Sequence, residues 1–265
     1  MVDLEREYSP SSRAGGSAEP HVQRYRDESE RAATTIRSSL QTSHGSLVVP
    51  AGTGAPLLVF VHGGYWQALS ASASLFLGPG AAAAGWAYAA IEYTIAPEGS
   101  IEQMVGEVAA ELAAVSALAP APSHIVVAGH SAGAHLVAMA TLAAVPPVAV
   151  DRVVLVSGVF DLIPLVRTTV NEALGLTEAA AMALSPQFLP VEGVQSGRPE
   201  TVVVWGDADT SAFRAQSRHY AERLAASGVT VTALECAGRH HFDVVDDLVA
   251  PTTALGAATL GPFTP

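Results

Sequence analysis

The sequence predicts the α/β class: a mostly parallel central sheet flanked by helices, with a small helical cap. Three observations predict it. Short runs that are apolar throughout, such as LLVFV at 57–61 and RVVLV at 152–156, have the pattern of strands buried on both faces. Helical patterns at 101–118, 133–144, 211–226 and 244–255 fall between such runs, and strands that alternate with helices pair in parallel. The length of 265 residues, 49% hydrophobic and only 14% charged, suits one large core better than two small ones, so a single domain over 1–265 is expected.

Taken in order, residues 1–42 are polar and helix-prone (HVQRYRDESERAATTIRSSL), which predicts an N-terminal arm with one helix. Strands are predicted at 46–49, 57–61, 86–93, 124–128, 152–156, 201–205 and 230–235. The most apolar stretch, 71–91, contains Gly78, Pro79, Gly80 and Gly85, so it reads as a helix, a turn and a buried strand instead of a membrane span. From about 158 to 197 the rhythm breaks into short helical pieces with no clear strand, which predicts a cap inserted over the sheet. Sites in such folds lie at the carboxyl ends of the strands.

The net charge of -12 comes from 25 acidic against 13 basic side chains with no basic block, which argues against nucleic-acid or anionic-membrane partners. A single cysteine, Cys236, rules out an internal disulfide and a cysteine-based zinc cluster. The opening MVDLEREYSPSSR lacks a basic-then-apolar signal pattern, so a cytoplasmic location is expected. A homodimer is compatible with the sequence.

The strongest local signal is HIVVAGHSAGAHL, where a buried strand ends in Gly129-His130-Ser131-Ala132-Gly133 and a helix follows at once. A serine on so sharp a strand-to-helix turn is a nucleophile candidate, and it needs small neighbours two positions either side because the backbone is crowded there. The second signal is LLVFVHGGYW, a strand running into His62-Gly63-Gly64-Tyr65-Trp66. Acyl transfer turns a carbonyl oxygen into an anion, and fixed N–H donors stabilise it by several kcal/mol. Gly63, Gly64 and Ala132 are the expected donors; His62 is read as structural, and Tyr65 and Trp66 as candidate substrate-lining residues, with packing under the cap as the alternative.

The acid is expected after a late strand, where TVVVWGDADT offers Asp207 and Asp209. Asp209, three residues beyond Gly206, is favoured, with Asp207 left as a turn or capping residue. The base is expected last, from His240 and His241, and His241 is taken. Nine histidines raise the question of a metal, but His240 and His241 are adjacent and no H-E-x-x-H spacing occurs, so no metal and no cofactor are expected.

The segments EREYSPSS, HGGYW, IEYTIAPE, GHSAGAHL, VNEALGL, LSP, DTSAFRAQS and HHFDVVDDL together resemble the kynurenine formamidase (arylformamidase) family, which has the α/β-hydrolase fold. HGGYW and GHSAG recur in related esterases; YSPS and the terminal HFD are more particular to the formamidases. The resemblance favours Asp209, which precedes Phe213 by four positions, and His241, which precedes Phe242-Asp243. It implies a metal-free serine hydrolase acting on a small aryl formamide, N-formylkynurenine, to give kynurenine and formate. The alternative is a carboxylesterase or other amidase using the same machinery on a different small ester, amide or lactone.

Overall fold

The computed structural model describes residues 3–191 and 199–263. Its strands are β1 (Leu40–Gln41), β2 (Leu47–Val49), β3 (Leu57–Val61), β4 (Ala87–Ile91), β5 (Ile125–His130), β6 (Arg152–Val156), β7 (Glu200–Gly206) and β8 (Val231–Cys236). They form one sheet in the order β1-β2-β4-β3-β5-β6-β7-β8. Every pairing from β4 across to β8 is parallel, whereas β2 joins β4 and β1 joins β2 antiparallel. The short β1 has no counterpart in the sequence reading, because both its residues are exposed and carry no apolar pattern.

The central strands explain the layering. In β3, β4 and β6 every residue is buried, so alternate side chains must enter cores on opposite faces. Val59 and Val61 pack on one face with Leu112 and Leu136; Leu58 and Phe60 pack on the other with Leu77 and Leu248. Each such side chain contributes roughly 1.5–3 kcal/mol, enough to fix the register against a one-residue slip. The helix α4 (Ile101–Leu118) covers the first face with Ile101, Met104, Val108, Leu112 and Val115, a stripe at spacings of three and four. Its start is set by Ser100, whose hydroxyl accepts from Gln103 N–H at 3.2 Å.

The remaining helices are α1 (Leu4–Glu7), α2 (Glu19–Thr35), α3 (Gly78–Ala83), α5 (Ala132–Thr141), α6 (Asn171–Leu174), α7 (Glu178–Ala183), α8 (Ser211–Ala226) and α9 (Ala254–Leu260). Two expectations need correction. The arm holds α1 and a 3-10 turn at Pro10–Arg13 as well as α2. The pattern at 244–255 is not one helix but a 3-10 turn at Val244–Val249 followed by α9. Pro251 lacks an N–H and disfavours a helical residue before it, and Thr253 opens the new helix by accepting from Gly256 N–H at 3.0 Å.

The stretch predicted as a cap contributes a 3-10 turn at Ile163–Arg167, α6 and α7; its last part, 192–197, lies outside the described residues. His135 of α5 ties this stretch down by donating from Nε2 to the Leu184 carbonyl at 2.7 Å. Among the described residues no helix is long and apolar enough to cross a membrane.

The order places β3 and β5 side by side, with Val61 opposite Gly129. From β3 the chain moves outward to β4, and from β5 it moves the other way to β6. This reversal opens a crevice beyond their carboxyl ends, where open α/β sheets bind ligands.

Candidate active site

Strand β5 delivers Ser131 into that crevice with φ 55° and ψ -119°, a conformation costing on the order of 1–3 kcal/mol for a non-glycine residue. The surroundings enforce it. A Cβ on Gly129 would lie 2.4 Å from the Gly133 carbonyl oxygen, and one on Gly133 would lie 2.1 Å from the Val61 oxygen. Strand, elbow and α5 meet too closely for any side chain at either position. Ser131 N–H donates to the Val156 carbonyl at 2.8 Å, which anchors the turn on β6. The residue lines a cavity of about 310 Å³, within the range of small-molecule sites.

His241 lines the same cavity, and its Nδ1 meets Asp209 Oδ2 at 2.8 Å with both side chains buried. Asp209 Oδ1 accepts from Thr210 N–H at 2.8 Å, so the carboxylate is held at both oxygens. With Nδ1 donating to Asp209, the imidazole keeps Nε2 as its proton acceptor. The loop can pass because Gly206 ends β7: a Cβ there would stand 2.1 Å from the Arg239 carbonyl oxygen. Behind it, His130 Nε2 donates to the His241 carbonyl at 2.8 Å. Burial and the neighbouring His241 hold the His130 pKa down at about 3, so it stays a neutral prop.

Asp207 and His240 stand apart from this pair. Asp207 is exposed and accepts from Gly238 N–H at 2.8 Å, closing the β7 and β8 turns together. His240 is engaged locally, with its N–H on Asp243 at 2.7 Å and its Nδ1 accepting from Phe242 N–H at 3.1 Å. Among the described residues Ser131 Oγ makes no protein hydrogen bond, so its bond to His241 is not formed in this structure. Such bonds are often long in empty sites and tighten with substrate.

The loop after β3 lies against the elbow: a Cβ on Gly63 would be 2.8 Å from the His130 oxygen and 3.0 Å from Ser131 Cβ. Gly64 has φ +97°, where a Cβ would strike Ala68 O at 2.4 Å. Tyr93 hydroxyl donates to the His62 carbonyl at 3.0 Å and, more weakly, to that of Gly63 at 3.3 Å. The His62 ring, stacked on Tyr93 with centroids 4.3 Å apart, adds a bond from Nδ1 to the Gly63 carbonyl at 3.0 Å. In a trans peptide the N–H points opposite to the C=O, so pinning these two carbonyls turns the amides of Gly63 and Gly64 away from Tyr93. Ala132 N–H opens α5 and is one of the donors a helix start leaves without an internal partner. His62 Nε2 faces Glu92 at 3.7 Å. Burial raises the Glu92 pKa, but His62 and the amides of Ala71 and Tyr93 outweigh it and hold the carboxyl below its usual value.

Of the two aromatic candidates for the cavity wall, one lines it and the other takes the packing alternative. Tyr65 lines it, but Trp66 does not. Both residues have positive φ (51° at Tyr65, 60° at Trp66), and Trp66 is fully buried, tilted against the Tyr65 ring with centroids 6.2 Å apart and edge-on to His135 at 5.1 Å. Among its described residues the cap supplies Thr169 and Val170, and the arm adds Glu5, Tyr8, Ser9, Pro10 and Ser11. The arm is fastened on several sides. Glu7 accepts from Ala212 N–H at 3.1 Å at the start of α8, Gln216 Nε2 donates to Tyr8 hydroxyl at 2.9 Å, and Tyr25 and Arg24 donate to the Phe242 carbonyl. The YSPSS segment was the only sequence signal for this role, and it carried no chemistry by itself. Among the described residues no three His, Cys, Asp or Glu side chains converge as a metal site requires.

The family described as the alpha/beta hydrolase fold matches residues 58–244. The kynurenine formamidases of Salmo salar and Danio rerio are each 33% identical to this chain, over 93% of it and 91% of their own length. The chain belongs to the kynurenine formamidase family of α/β hydrolases. A solved structure of a candidate thioesterase from Silicibacter sp. tm1040 superposes on this family member with a TM-score of 0.85 at 30% identity, covering 99% of this chain and all of that one. The EREYSPSS arm thus falls within the stretch shared with that structure.

Proposed function

We propose that the protein hydrolyses N-formylkynurenine to kynurenine and formate, with Ser131 as nucleophile, His241 as base and Asp209 as the acid that orients it. The observation that carries the reading is a buried His241–Asp209 pair at 2.8 Å opening on the same cavity as a strained serine elbow. Ser131 Oγ attacks the formyl carbon and gives its proton to His241 Nε2. The oxygen, now an anion, takes hydrogen bonds from Gly63, Gly64 and Ala132 N–H. His241 returns the proton to the aryl nitrogen as the C–N bond breaks, leaving formyl-Ser131 and the free amine. Water then attacks the ester carbon, passing a proton to His241, and formate leaves as Ser131 recovers its hydrogen.

A second reading is favoured by the similarity to the candidate thioesterase: the same groups would cleave a small ester or thioester. Side-by-side kcat/KM values for N-formylkynurenine, p-nitrophenyl acetate and an acetyl thioester decide between them. A preference for the formamide supports the first reading, and a strong preference for either ester overturns it. Fluorophosphonate should label the native protein and leave Ser131→Ala unlabelled. We propose a cytoplasmic location, which the single cysteine permits.

A further inference from the structure

Histidine rings aside, Glu5 is the only acidic or basic side chain among the described residues that line the cavity beside Ser131. The rest of the wall is hydroxyl-bearing or apolar, with Tyr8, Pro10, Tyr65, Leu69 and Val170 offering surfaces suited to an aromatic ring. Among the described residues no arginine or lysine lines it, so a substrate carboxylate finds no cationic partner among them, whereas a substrate cation has one acidic partner.

The two carboxylates of α1 have separate tasks. Glu7 is consumed in docking, its Oε2 accepting from Ala212 N–H at 3.1 Å and from Ser211 hydroxyl. Glu5 is held at the mouth by Thr169, whose N–H donates to Oε2 at 2.9 Å and whose hydroxyl donates to Oε1. Each bond takes one acceptor site on an oxygen that has two, so half of the carboxylate's capacity stays free in a fixed orientation. A carboxylate clamped by two donors, exposed, and facing an apolar cavity is a preorganised receptor for an ammonium group.

We propose that Glu5 is the specificity residue for this site: it binds the primary ammonium group of an aryl substrate whose side chain ends in an amino acid. The proposal rests on the formamidase reading and deepens it, because N-formylkynurenine carries such an ammonium on the chain beside its formamide. The substrate carboxylate points to solvent at the mouth. A substrate that has the carboxylate but lacks the ammonium is repelled by Glu5, so the arm selects for the zwitterion.

The test is Glu5→Gln, which removes the charge but keeps both bonds to Thr169, since the amide oxygen accepts and the amide nitrogen donates. KM for N-formylkynurenine is expected to rise about tenfold with kcat within about twofold, as loss of one partly exposed charge-assisted bond predicts. KM for formanilide is expected to stay unchanged, and that for 3-(2-formamidobenzoyl)propanoate to fall. Thr169→Val, which weakens the docking of the arm but leaves the charge, should preserve the preference for the ammonium substrate. An equal rise in KM for formanilide and N-formylkynurenine assigns Glu5 a packing role and overturns the proposal, as does no change for N-formylkynurenine. If no formamide is hydrolysed, the formamidase reading fails by itself, and the subsite is tested with 4-(2-aminoethyl)phenyl acetate against phenyl acetate. A selective loss for the cationic ester in Glu5→Gln sustains the subsite, and equal behaviour removes it.

Discussion

Between pH 7.5 and pH 5 the fold is expected to lose about 4 kcal/mol of stability through His130 and His135. Both rings are buried, and burial is the main reason that their pKa values fall to about 3 and about 4. In the unfolded chain a histidine titrates near 6.5. The folded values lie below the unfolded one, so the unfolded state binds protons first as pH falls, and stability is complete above about 6.5 and declines below it. At pH 5 the unfolded chain has gained about 1.5 pH units of protonation per ring at about 1.36 kcal/mol each, or roughly 2 kcal/mol per histidine. The figure is insensitive to the folded values, since both lie below 5. Structure supplies the cause for His135: Nε2 already donates to Leu184, and a proton on Nδ1 would find no acceptor. Urea unfolding followed by tryptophan fluorescence at the two pH values measures the loss. His135→Phe keeps an aromatic edge against Trp66 and removes one titrating group, so its loss should shrink to about 2 kcal/mol, whatever its stability at pH 7.5. The carboxylates shifted by burial, Asp161 and Asp246, are common to both proteins and cancel in the difference. An undiminished loss in His135→Phe would refute the reasoning.

Three further outcomes are expected. Asp209→Asn should lower kcat by about 10³–10⁴ with little change in KM, read by steady-state kinetics, because the asparagine amide presents the wrong partner to His241 Nδ1. Gly133→Ala should cost about 3 kcal/mol or more, since its Cβ would stand 2.1 Å from backbone oxygen; Gly106→Ala, in α4 with nothing within 4 Å, should gain about 0.5–1 kcal/mol, and thermal melts of the pair check both. Tyr93→Phe should lower kcat roughly 10- to 100-fold, less than the loss of an oxyanion donor outright, while KM holds, because the His62 bond to the Gly63 carbonyl remains. A Tyr93→Phe enzyme with unchanged kcat sinks the pinning argument.

Where physical cause was local, the sequence was readable. Strands β3 and β6 and helices α4 and α8 have the bounds that apolar runs and three-four spacing imply, because burial on two faces or one stripe leaves no other solution. The elbow was readable because Gly129 and Gly133 answer a steric demand within five residues. The arm was not readable as a wall, since its place depends on Glu5, Glu7 and Tyr8 meeting partners more than 160 positions away. For Trp66 the sequence left lining and packing both open, because adjacency to Tyr65 does not say which ring the backbone buries. The choice of Asp209 over Asp207 needed a family pattern, as the GDAD turn alone offers both.

Tyr25 and Phe242, whose bond seals the arm against the histidine loop, are 217 positions apart in the chain. A ribosome-bound polypeptide therefore lacks an enclosed reaction chamber until Phe242 has emerged, even though the elbow and the loop after β3 are synthesised much earlier. In refolding, secondary structure should return before turnover does, and hydrolysis becomes a reporter for the closing of a loop that spans most of the chain.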